Sequence, residues 1–225
     1  MNLVIFDCDG VLINSEEIYL TSEIEFLSNA GFHVERGAYM EAFMGLSPDA
    51  WRMKIGAVAR ERNGHSLPEN FFESLHTFIM RRFESELRSI SGVRRAVSKL
   101  ETRCCVASST PLPELQWKLE HVGIADLFAP NIFSADMVDR GKPAPDLFLH
   151  AAATLAIEPR RCVVVEDSAN GVIAGKAAGM KVIGFTGGDH CPPGHETILM
   201  KNGAQVVIDD FAKLGSTISR LAGST

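Results

Sequence analysis

The sequence lacks any apolar stretch long enough to span a membrane or to form a secretory leader. Its first apolar run, residues 1–6, is followed at once by Asp7 and Asp9, far short of the roughly 20 residues that a membrane helix needs. We therefore expect no membrane partner and a cytoplasmic protein. Internal repeats and tracts of low complexity are also missing, which excludes solenoid and fibrous architectures.

Basic residues are also in short supply. The 22 Lys and Arg are outnumbered by 28 Asp and Glu, which gives a formal net charge of −6. Because negative charge opposes attraction to a phosphate backbone, nucleic acid is not an expected partner. The chain of 225 residues is 46% hydrophobic, enough for one large domain, or one domain with a smaller insert, to bury a core. We expect a monomer or a weak homo-oligomer.

Cysteine is too sparse and irregular for a disulfide framework. Four of the five cysteines lie in or beside apolar, strand-like runs, typical of small buried side chains: Cys8, Cys104, Cys105 and Cys162. The fifth belongs to a segment with several groups that could bind a metal: Asp189, His190, Cys191 and His195. No second Cys/His pair completes a four-ligand zinc site. We therefore interpret this segment as a polar loop stiffened by prolines.

Strand-like and helix-like segments alternate along most of the chain. The strand-like segments are 2–6, 103–107, 131–134, 162–166, 181–185 and 205–208. The helix-like segments are 92–101, 112–122, 145–156, 170–178 and 210–221. Strands separated by helices of about ten residues predict right-handed crossovers and a parallel α/β sheet.

Residues 16–88 interrupt this alternation. They show only helical patterns, which we place at 16–29, 37–43, 48–61 and 68–88. A separate N-terminal helical domain is the alternative, but it would leave the first strand with no sheet to join. We therefore predict a helical domain, residues 16–88, inserted after the first strand of a core formed by 1–15 and 89–225.

Asp7 and Asp9 directly follow the first strand. Side chains two residues apart on a strand point the same way, and ligands of open α/β sheets bind at the carboxyl ends of the strands. Two carboxylates that face one cavity repel each other unless a cation or a division of roles makes the pair useful. Taken alone, an Asp-x-Asp pair can equally be a turn or a strand-end cap.

Three more groups follow other predicted strands. Ser108, Ser109 and Thr110 offer hydroxyl and amide donors suited to phosphate oxygens. Lys142 lies in a proline-rich loop, and a second acid pair, Glu166 and Asp167, follows the strand 162–166. Each group alone is typical of helix starts. Their joint order, with every group at the carboxyl end of a strand, indicates a phosphate-handling site.

These motifs resemble those of the haloacid dehalogenase-like superfamily of phosphotransferases, in particular its β-phosphoglucomutase-like branch of sugar-phosphate phosphatases and mutases. The matching stretches are residues 6–12 (FDCDGVL), 107–109 (ASS), 141–146 (GKPAPD) and 165–171 (VEDSANG). The resemblance implies a Rossmann-like parallel sheet core with a helical cap, Mg²⁺ as cofactor and an aspartyl-phosphate intermediate.

The resemblance also implies a role for each matched residue. Asp7 would be the nucleophile and Asp9 the general acid and base. Ser108 would hydrogen-bond the transferring phosphoryl group, and Lys142 would neutralise charge between that group and Asp7. The implied Mg²⁺ ligands are the carboxylates of Asp7, Glu166 and Asp167 and the backbone carbonyl of Asp9.

The expected activity is Mg²⁺-dependent hydrolysis of a small phosphorylated metabolite, a sugar or sugar-acid phosphate. A carboxylate attacks a phosphate dianion poorly unless cations cancel the repulsion, which a metal and Lys142 would do. The second acid, Asp9, argues against carbon–halogen hydrolysis. Two alternatives are a phosphosugar mutase of the β-phosphoglucomutase type and a binding module without turnover.

Departures from the mutase pattern favour the phosphatase. In residues 44–48, Met44 and Pro48 stand where mutases of this branch carry cations, and Tyr19 stands where they carry a histidine. Substrate contacts are expected mainly from the inserted domain. The candidates for these contacts are Ser15, Glu17, Arg52, Lys54, Arg81, Arg82 and, in the core, Ser109. The loop at 187–190 is a further candidate to approach the cavity.

Overall fold

A computed structural model describes residues 1–43, 46, 48–63 and 66–223. The chain divides into two compact units. One comprises Met1–Ser15 and Leu87–Thr225 and is called the sheet unit here. The other is the continuous segment Glu16–Glu86, called the helical unit.

Six parallel strands form one sheet in the sheet unit. They are β1 (Leu3–Phe6), β2 (Arg103–Ser108), β3 (Ile132–Ser134), β4 (Cys162–Glu166), β5 (Lys181–Phe185) and β6 (Val206–Ile208). Their order across the sheet is β3-β2-β1-β4-β5-β6. The chain therefore winds one way from β1 to β3 and the other way from β4 to β6, which puts the topological switch point at β1 and β4. The predicted parallel α/β sheet is confirmed.

Helices make up the rest of the regular structure. Those that begin before residue 87 are α1 (Ser15–Asn29), α2 (Arg36–Phe43), α3 (Pro48–Asn63) and α4 (Phe71–Glu86). The sheet unit carries α5 (Val93–Val97), α6 (Leu112–His121), α7 (Asp146–Thr154), α8 (Ala169–Ala177), α9 (His195–Asn202) and α10 (Leu214–Gly223). Across the described residues, no helix has the length and apolar character that crossing a bilayer requires.

Four helices differ from the prediction by three residues or more. α10 begins at Leu214 and not near residue 210, because Phe211–Lys213 form a short 3-10 helix. α9 was not predicted, because the prolines and glycine of residues 192–194 are typical of a loop; Gly194, with φ 85°, leads the chain into the helix. α5 ends at Val97 because residues 98–102 form turns and bends. α4 begins at Phe71 because residues 68–70 form a turn, in which the Phe71 amide donates to the Pro68 carbonyl.

A hydrophobic core lies between the sheet and the helices α7, α8 and α9. Its buried members from the strands and from these helices include Leu3, Ile5, Cys105, Val164, Leu147, Ala151, Val172 and Leu199. Strands covered on both faces carry continuous apolar runs, which is why β1 and β4 were recognisable in the sequence. The predicted burial of the cysteines is confirmed for Cys8, Cys105 and Cys162. Burial raises the pKa of Cys162 to about 11, so this thiol stays protonated.

The chain passes between the two units at two neighbouring segments, near residues 14 and 88. The Asn14 amide donates to the Arg88 carbonyl at 3.1 Å, and the Arg88 amide donates to Asn14 Oδ1 at 2.8 Å. The Ile90 amide also donates to the Leu12 carbonyl at 2.9 Å. The segment that leaves the sheet unit near residue 14 and the segment that returns near residue 88 are therefore held together by hydrogen bonds within that unit.

The helical unit contains a partly buried chain of hydrogen bonds that links three of its helices and is centred on the buried Tyr39. Tyr39 donates to Glu23 Oε2 at 2.6 Å and accepts from Trp51 Nε1 at 2.7 Å. Burial raises the pKa of Glu23 to about 7, although the hydrogen bond from Tyr39 opposes this increase. Close to neutral pH, this carboxyl group is therefore partly protonated.

Candidate active site

Asp7 and Asp9 extend from the carboxyl end of the central strand β1. The Asp7 amide still donates to the Val165 carbonyl of β4, at 3.0 Å, so sheet pairing continues up to the first acid. Gly10, with φ 77°, then turns the chain away. A Cβ atom at Gly10 would overlap the Asp167 carboxylate. A glycine is required here both by the backbone conformation and by the close approach of the second acid pair.

Lys142 bridges the first acid and the second acid pair. Its ammonium nitrogen lies 2.5 Å from Asp7 Oδ1 and 2.7 Å from Glu166 Oε1, and it donates to the Ala107 carbonyl at 3.0 Å. Burial lowers the pKa of Lys142, but the charges of Asp7 and Glu166 outweigh burial and raise the pKa above its ordinary value. The lysine is therefore a fixed positive charge beside the Asp7 carboxylate.

Three buried carboxylates lie together at this point. Single oxygens of Asp7, Glu166 and Asp167 lie within 4.8 Å of one another. Burial raises the pKa of Asp7 well above its usual range, Lys142 opposes the increase, and the other two acids add to it. These three carboxylates crowd one buried space, and their mutual repulsion is only partly offset by Lys142. Such a set of hard oxygen donors is suited to a divalent cation.

Glu166 and Asp167 are held by the start of α8 and by a histidine loop. The Ser168 amide and hydroxyl each donate to Glu166 Oε2 at 2.9 Å, and Ser168 also caps α8. A side chain at Gly171 would overlap the Glu166 carboxyl group. These contacts fix one carboxylate of the pair before any ligand binds.

The loop 189–195 places two imidazoles against Asp167. His190 Nε2 lies 2.7 Å from Asp167 Oδ2, and His195 Nε2 lies 2.5 Å from the Asp167 carbonyl oxygen. Burial lowers the pKa of His190, but the hydrogen bond to Asp167 and its charge raise the pKa to about 11. The sequence indicated that the loop 187–190 could approach the cavity, and His190 of that loop does contact Asp167. The individual contacts could not be predicted, because they depend on how the chain after β5 folds back over β4.

The Asp9 carboxylate has a different environment, with four side-chain donors. Oδ1 accepts from Ser15 at 2.6 Å and Lys118 at 2.9 Å, and Oδ2 accepts from Thr110 at 2.7 Å and Ser108 at 3.2 Å. Burial raises the pKa of Asp9, but Lys118 and the hydrogen bonds from Ser15 and Thr110 outweigh it and lower the pKa to about 2. Asp9 is therefore ionised. Lys118 was not among the residues singled out from the sequence.

The residues expected to bind substrate have varied positions. Ser109 is exposed. Ser15, in contrast, is fully buried, and its hydroxyl donates to Asp9. Glu17 forms a double hydrogen bond with Arg36 at 2.8 and 2.7 Å in the helical unit. This arrangement gives Glu17 a partner within its own unit.

The basic candidates lie on α3 and α4. The Arg52 guanidinium lies over the Phe72 ring, 5.6 Å from its centre, and Arg81 is exposed. Lys54 donates to the Ala42 carbonyl, and Arg82 forms a salt bridge with Glu86 at 2.7 Å. Lys54 and Arg82 thus have partners within the helical unit.

Two positions bear on the expected departure from the mutase pattern. The Tyr19 ring packs edge to face on Phe83, with centres 5.1 Å apart. In the loop 44–48, Met44, Gly45, Ser47 and the side chain of Pro48 lie outside the described residues. The expectation about that loop therefore stays a prediction.

Comparison with known proteins adds independent findings. A family model described as haloacid dehalogenase-like hydrolase matches residues 1–179. The 6-phosphogluconate phosphatase of Escherichia coli is 28% identical over 191 residues, 84% of this chain and 85% of that protein. Hexitol phosphatase B of the same organism is 32% identical over 182 residues, which cover 80% of this chain and 81% of that protein. Among solved structures, the chain resembles the crystal structure of a conserved haloacid dehalogenase-like protein of unknown function from Agrobacterium tumefaciens. The TM-score is 0.90, the sequences are 37% identical, and the match covers 99% of both chains.

Proposed function

The chain belongs to the haloacid dehalogenase-like hydrolases, and we propose that it hydrolyses a small phosphorylated sugar or sugar acid with Asp7 as the nucleophile and Mg²⁺ as the cofactor. Its class within that family is phosphoric monoester hydrolase. The observation that carries the proposal is the buried contact between Asp7, Lys142 and Glu166 at the switch point of the sheet. It combines a carboxylate, a fixed ammonium and a dense set of oxygen donors in one place.

Asp7 is the group that attacks phosphorus. In the first step a bond forms between an Asp7 carboxylate oxygen and phosphorus, and the ester oxygen leaves. Lys142 lies beside that carboxylate at 2.5 Å and offsets the repulsion between two anions. In the second step water attacks the aspartyl-phosphate, and the Asp7 carboxylate is released together with inorganic phosphate.

The metal belongs among the three carboxylates near Lys142. Asp7, Glu166 and Asp167 would hold Mg²⁺, with the backbone carbonyl of Asp9 as a fourth protein ligand. When bound, Mg²⁺ supplies positive charge that orients the phosphate and neutralises charge developing on its oxygens. The close approach of oxygens from these three buried carboxylates supports this assignment.

Asp9 moves protons in both steps. Asp9, which is ionised without substrate, would take a proton from the monoanionic phosphate ester as it binds and give it to the leaving ester oxygen in the first step, and would take one from the attacking water in the second. Its location two residues after Asp7 puts it next to the reacting groups without including its carboxylate in the proposed metal set. Ser108 donates to Asp9 in this structure, and we assign it the further role of binding a phosphoryl oxygen.

The substrate class rests on the named relatives. A 6-phosphogluconate phosphatase and a hexitol phosphatase both align over most of the chain. Their names indicate phosphate esters of sugar-derived acids and alcohols, so a small polyhydroxylated monoester is the substrate that we propose. Residues of the helical unit, with Arg52 and Arg81 as candidates, would select among such esters.

A phosphate-release screen tests the proposal. Purified protein with Mg²⁺ is offered sugar phosphates, sugar-acid phosphates and β-glucose 1-phosphate, and inorganic phosphate and isomerised sugar phosphate are both measured. Phosphate should be released from at least one sugar or sugar-acid ester, and chelation should stop the release. Asp7→Asn should be inactive, whereas Asp126→Asn, which alters an exposed ion pair with Arg94, should match the wild type. Isomerisation without phosphate release would instead support the mutase.

A further inference from the structure

A lysine on α6 is buried against the proposed acid. The Lys118 side chain is fully buried, and its ammonium nitrogen lies 2.9 Å from Asp9 Oδ1 and 2.8 Å from Glu114 Oε1. Glu114 is one turn earlier on the same helix and is partly exposed. The ammonium is therefore fixed between a carboxylate of its own helix and the carboxylate of Asp9.

A lysine at position 118 is not needed for the stability of α6. The neighbouring inward positions, Leu115 and Leu119, are fully buried leucines, and an apolar residue at 118 would continue that stripe. Withdrawing an ammonium from water is costly, and replacing buried ion pairs with apolar residues is often neutral or stabilising. The contact with Asp9 is what distinguishes a lysine from a leucine here.

The other donors to Asp9 surround the carboxylate without supplying charge. Ser15 shares Oδ1 with Lys118, and Thr110 and Ser108 donate to Oδ2. Both oxygens are thus occupied, and three of the four donors come from β2, from α6 or from the segment between them. Asp7, in contrast, has its ammonium partner on the side formed by Lys142 and Glu166.

We propose that Lys118 is a positioning residue for proton transfer: together with Glu114 it holds the Asp9 carboxylate apart from the group formed by Asp7, Glu166 and Asp167, where Asp9 can serve the leaving oxygen. This inference rests on the proposed phosphatase function. Without Lys118, the Asp9 side chain loses the charged partner that selects its orientation. The first chemical step would then lose part of its proton transfer, while Asp7, Lys142 and the metal ligands keep their contacts.

The leaving group separates this role from a general loss of structure. When phosphorus bonds to Asp7, an alkyl ester must release an alkoxide, whose oxygen needs the proton that Asp9 has taken up from the bound phosphate monoanion. The nitrophenolate of p-nitrophenyl phosphate is stable without that proton. A residue that acts through Asp9 therefore affects kcat/KM for alkyl phosphates much more than for the aryl phosphate.

The experiment compares Lys118→Met with the wild type on both esters, in the presence of Mg²⁺. We expect kcat/KM to fall about 10- to 100-fold for the best sugar phosphate, a part of the roughly 10²- to 10⁴-fold that a positioned acid contributes, and less than about threefold for p-nitrophenyl phosphate. In an Asp9→Asn background, Lys118→Met should cause no further loss on the sugar phosphate. A crystal structure of the variant should show Asp9 in a different side-chain rotamer.

Glu114→Gln is the second variant, in case Lys118→Met does not fold. It keeps the lysine but weakens its anchor, so it should give a smaller loss with the same dependence on the leaving group. Equal losses on both esters, or losses that multiply with that of Asp9→Asn, would overturn the inference. If the wild type released no phosphate from any ester, the proposed function itself would fail, which is a distinct outcome.

Discussion

Asp7 and Asp9 are two residues apart, yet each is paired with a different buried lysine, Lys142 at 2.5 Å and Lys118 at 2.9 Å. Burial and the neighbouring acids raise the pKa of Asp7 despite Lys142, whereas Lys118 and hydroxyl donors lower that of Asp9 to about 2 despite its burial. Separated pKa values are a common sign that two carboxylates have different tasks. A divalent cation bound by Asp7 would favour its ionised form, as a nucleophile requires.

Replacing Asp9 with Asn should remove proton transfer and leave the fold intact. Asn keeps the size of the side chain and can still accept from Ser15 or Thr110. We expect kcat/KM for a sugar phosphate to fall by about 10²- to 10⁴-fold. Steady-state kinetics measure the loss, and far-ultraviolet circular dichroism checks the fold. A variant with near wild-type kcat/KM on the sugar phosphate would contradict the assignment of Asp9 as the proton carrier.

Replacing Lys142 with Met should destabilise the protein most when no metal is present. The substitution leaves Asp7 and Glu166 buried beside Asp167 without their shared ammonium. Breaking a buried pair in this way costs about 3–5 kcal/mol of unfolding free energy. Urea unfolding in a chelating buffer and in Mg²⁺ measures the cost, which should shrink when the cation is added.

Lys213→Met provides the control for this experiment. Lys213 pairs with Asp209 on the surface, so its loss should barely change the unfolding midpoint in either buffer. Equal destabilisation by the two lysine substitutions would show that the buried contacts of Lys142 have no special weight.

Replacing Gly171 with Ala should weaken metal binding through Glu166. The added Cβ atom would overlap the Glu166 carboxyl group, so that carboxylate must move out of the acid cluster. In the wild type, Mg²⁺ at 100 times its Kd should stabilise the protein by about 2.7 kcal/mol. Thermal unfolding across a Mg²⁺ titration should show a weaker response in the variant.

Gly215→Ala is the matched substitution for that test. Gly215 lies in α10, and a Cβ atom there would meet no neighbouring atom within 4 Å. This alanine should stabilise the helix by up to about 1 kcal/mol and leave the Mg²⁺ response unchanged. An unaltered Mg²⁺ response in Gly171→Ala as well would remove Glu166 from the metal site.

Glu23 should make the stability of the protein depend on pH. Its pKa is raised from 4.5 to about 7 in the folded protein, so the folded state holds a proton that the unfolded state releases at lower pH. The stabilisation is complete below about pH 4.5 and is lost as the pH rises through about 7. The full loss is on the order of 3 kcal/mol, since the two pKa values differ by about 2.5 units and each unit corresponds to about 1.4 kcal/mol.

The Glu23→Gln variant isolates this contribution. Glutamine can still accept from Tyr39 but does not titrate. Urea unfolding at pH 5 and pH 7.5, followed by tryptophan fluorescence, should show a smaller change between the two pH values in the variant than in the wild type. An identical pH response in both proteins would rule out Glu23 as its source.

The sheet was predictable because its central strands are continuous, largely apolar runs. β1 and β4 are buried on both faces, so their boundaries and the acids that follow them are visible in the sequence. The convergence of the acids with Lys142 follows from the parallel topology, because every strand of such a sheet presents its carboxyl end at the same edge.

Other parts of the site depend on contacts between distant segments. Lys118 had a signal that was missed: it stands at helical spacing between Leu115 and Val122, on a stripe of otherwise apolar residues. For His190, the sequence indicated only that the loop 187–190 could approach the cavity. Its contact with Asp167 depends on the close approach of the chain at Gly10 and Gly188, each of which abuts the imidazole.

The hydrogen bonds between Asn14 and Arg88 place the two chain ends of the sheet unit next to each other, at the points where the segment Glu16–Glu86 leaves and returns. Because these ends are fixed to each other by contacts within the sheet unit, a change in the length of that segment would not by itself separate them. Insertions and deletions in Glu16–Glu86 should therefore cost the sheet unit little stability.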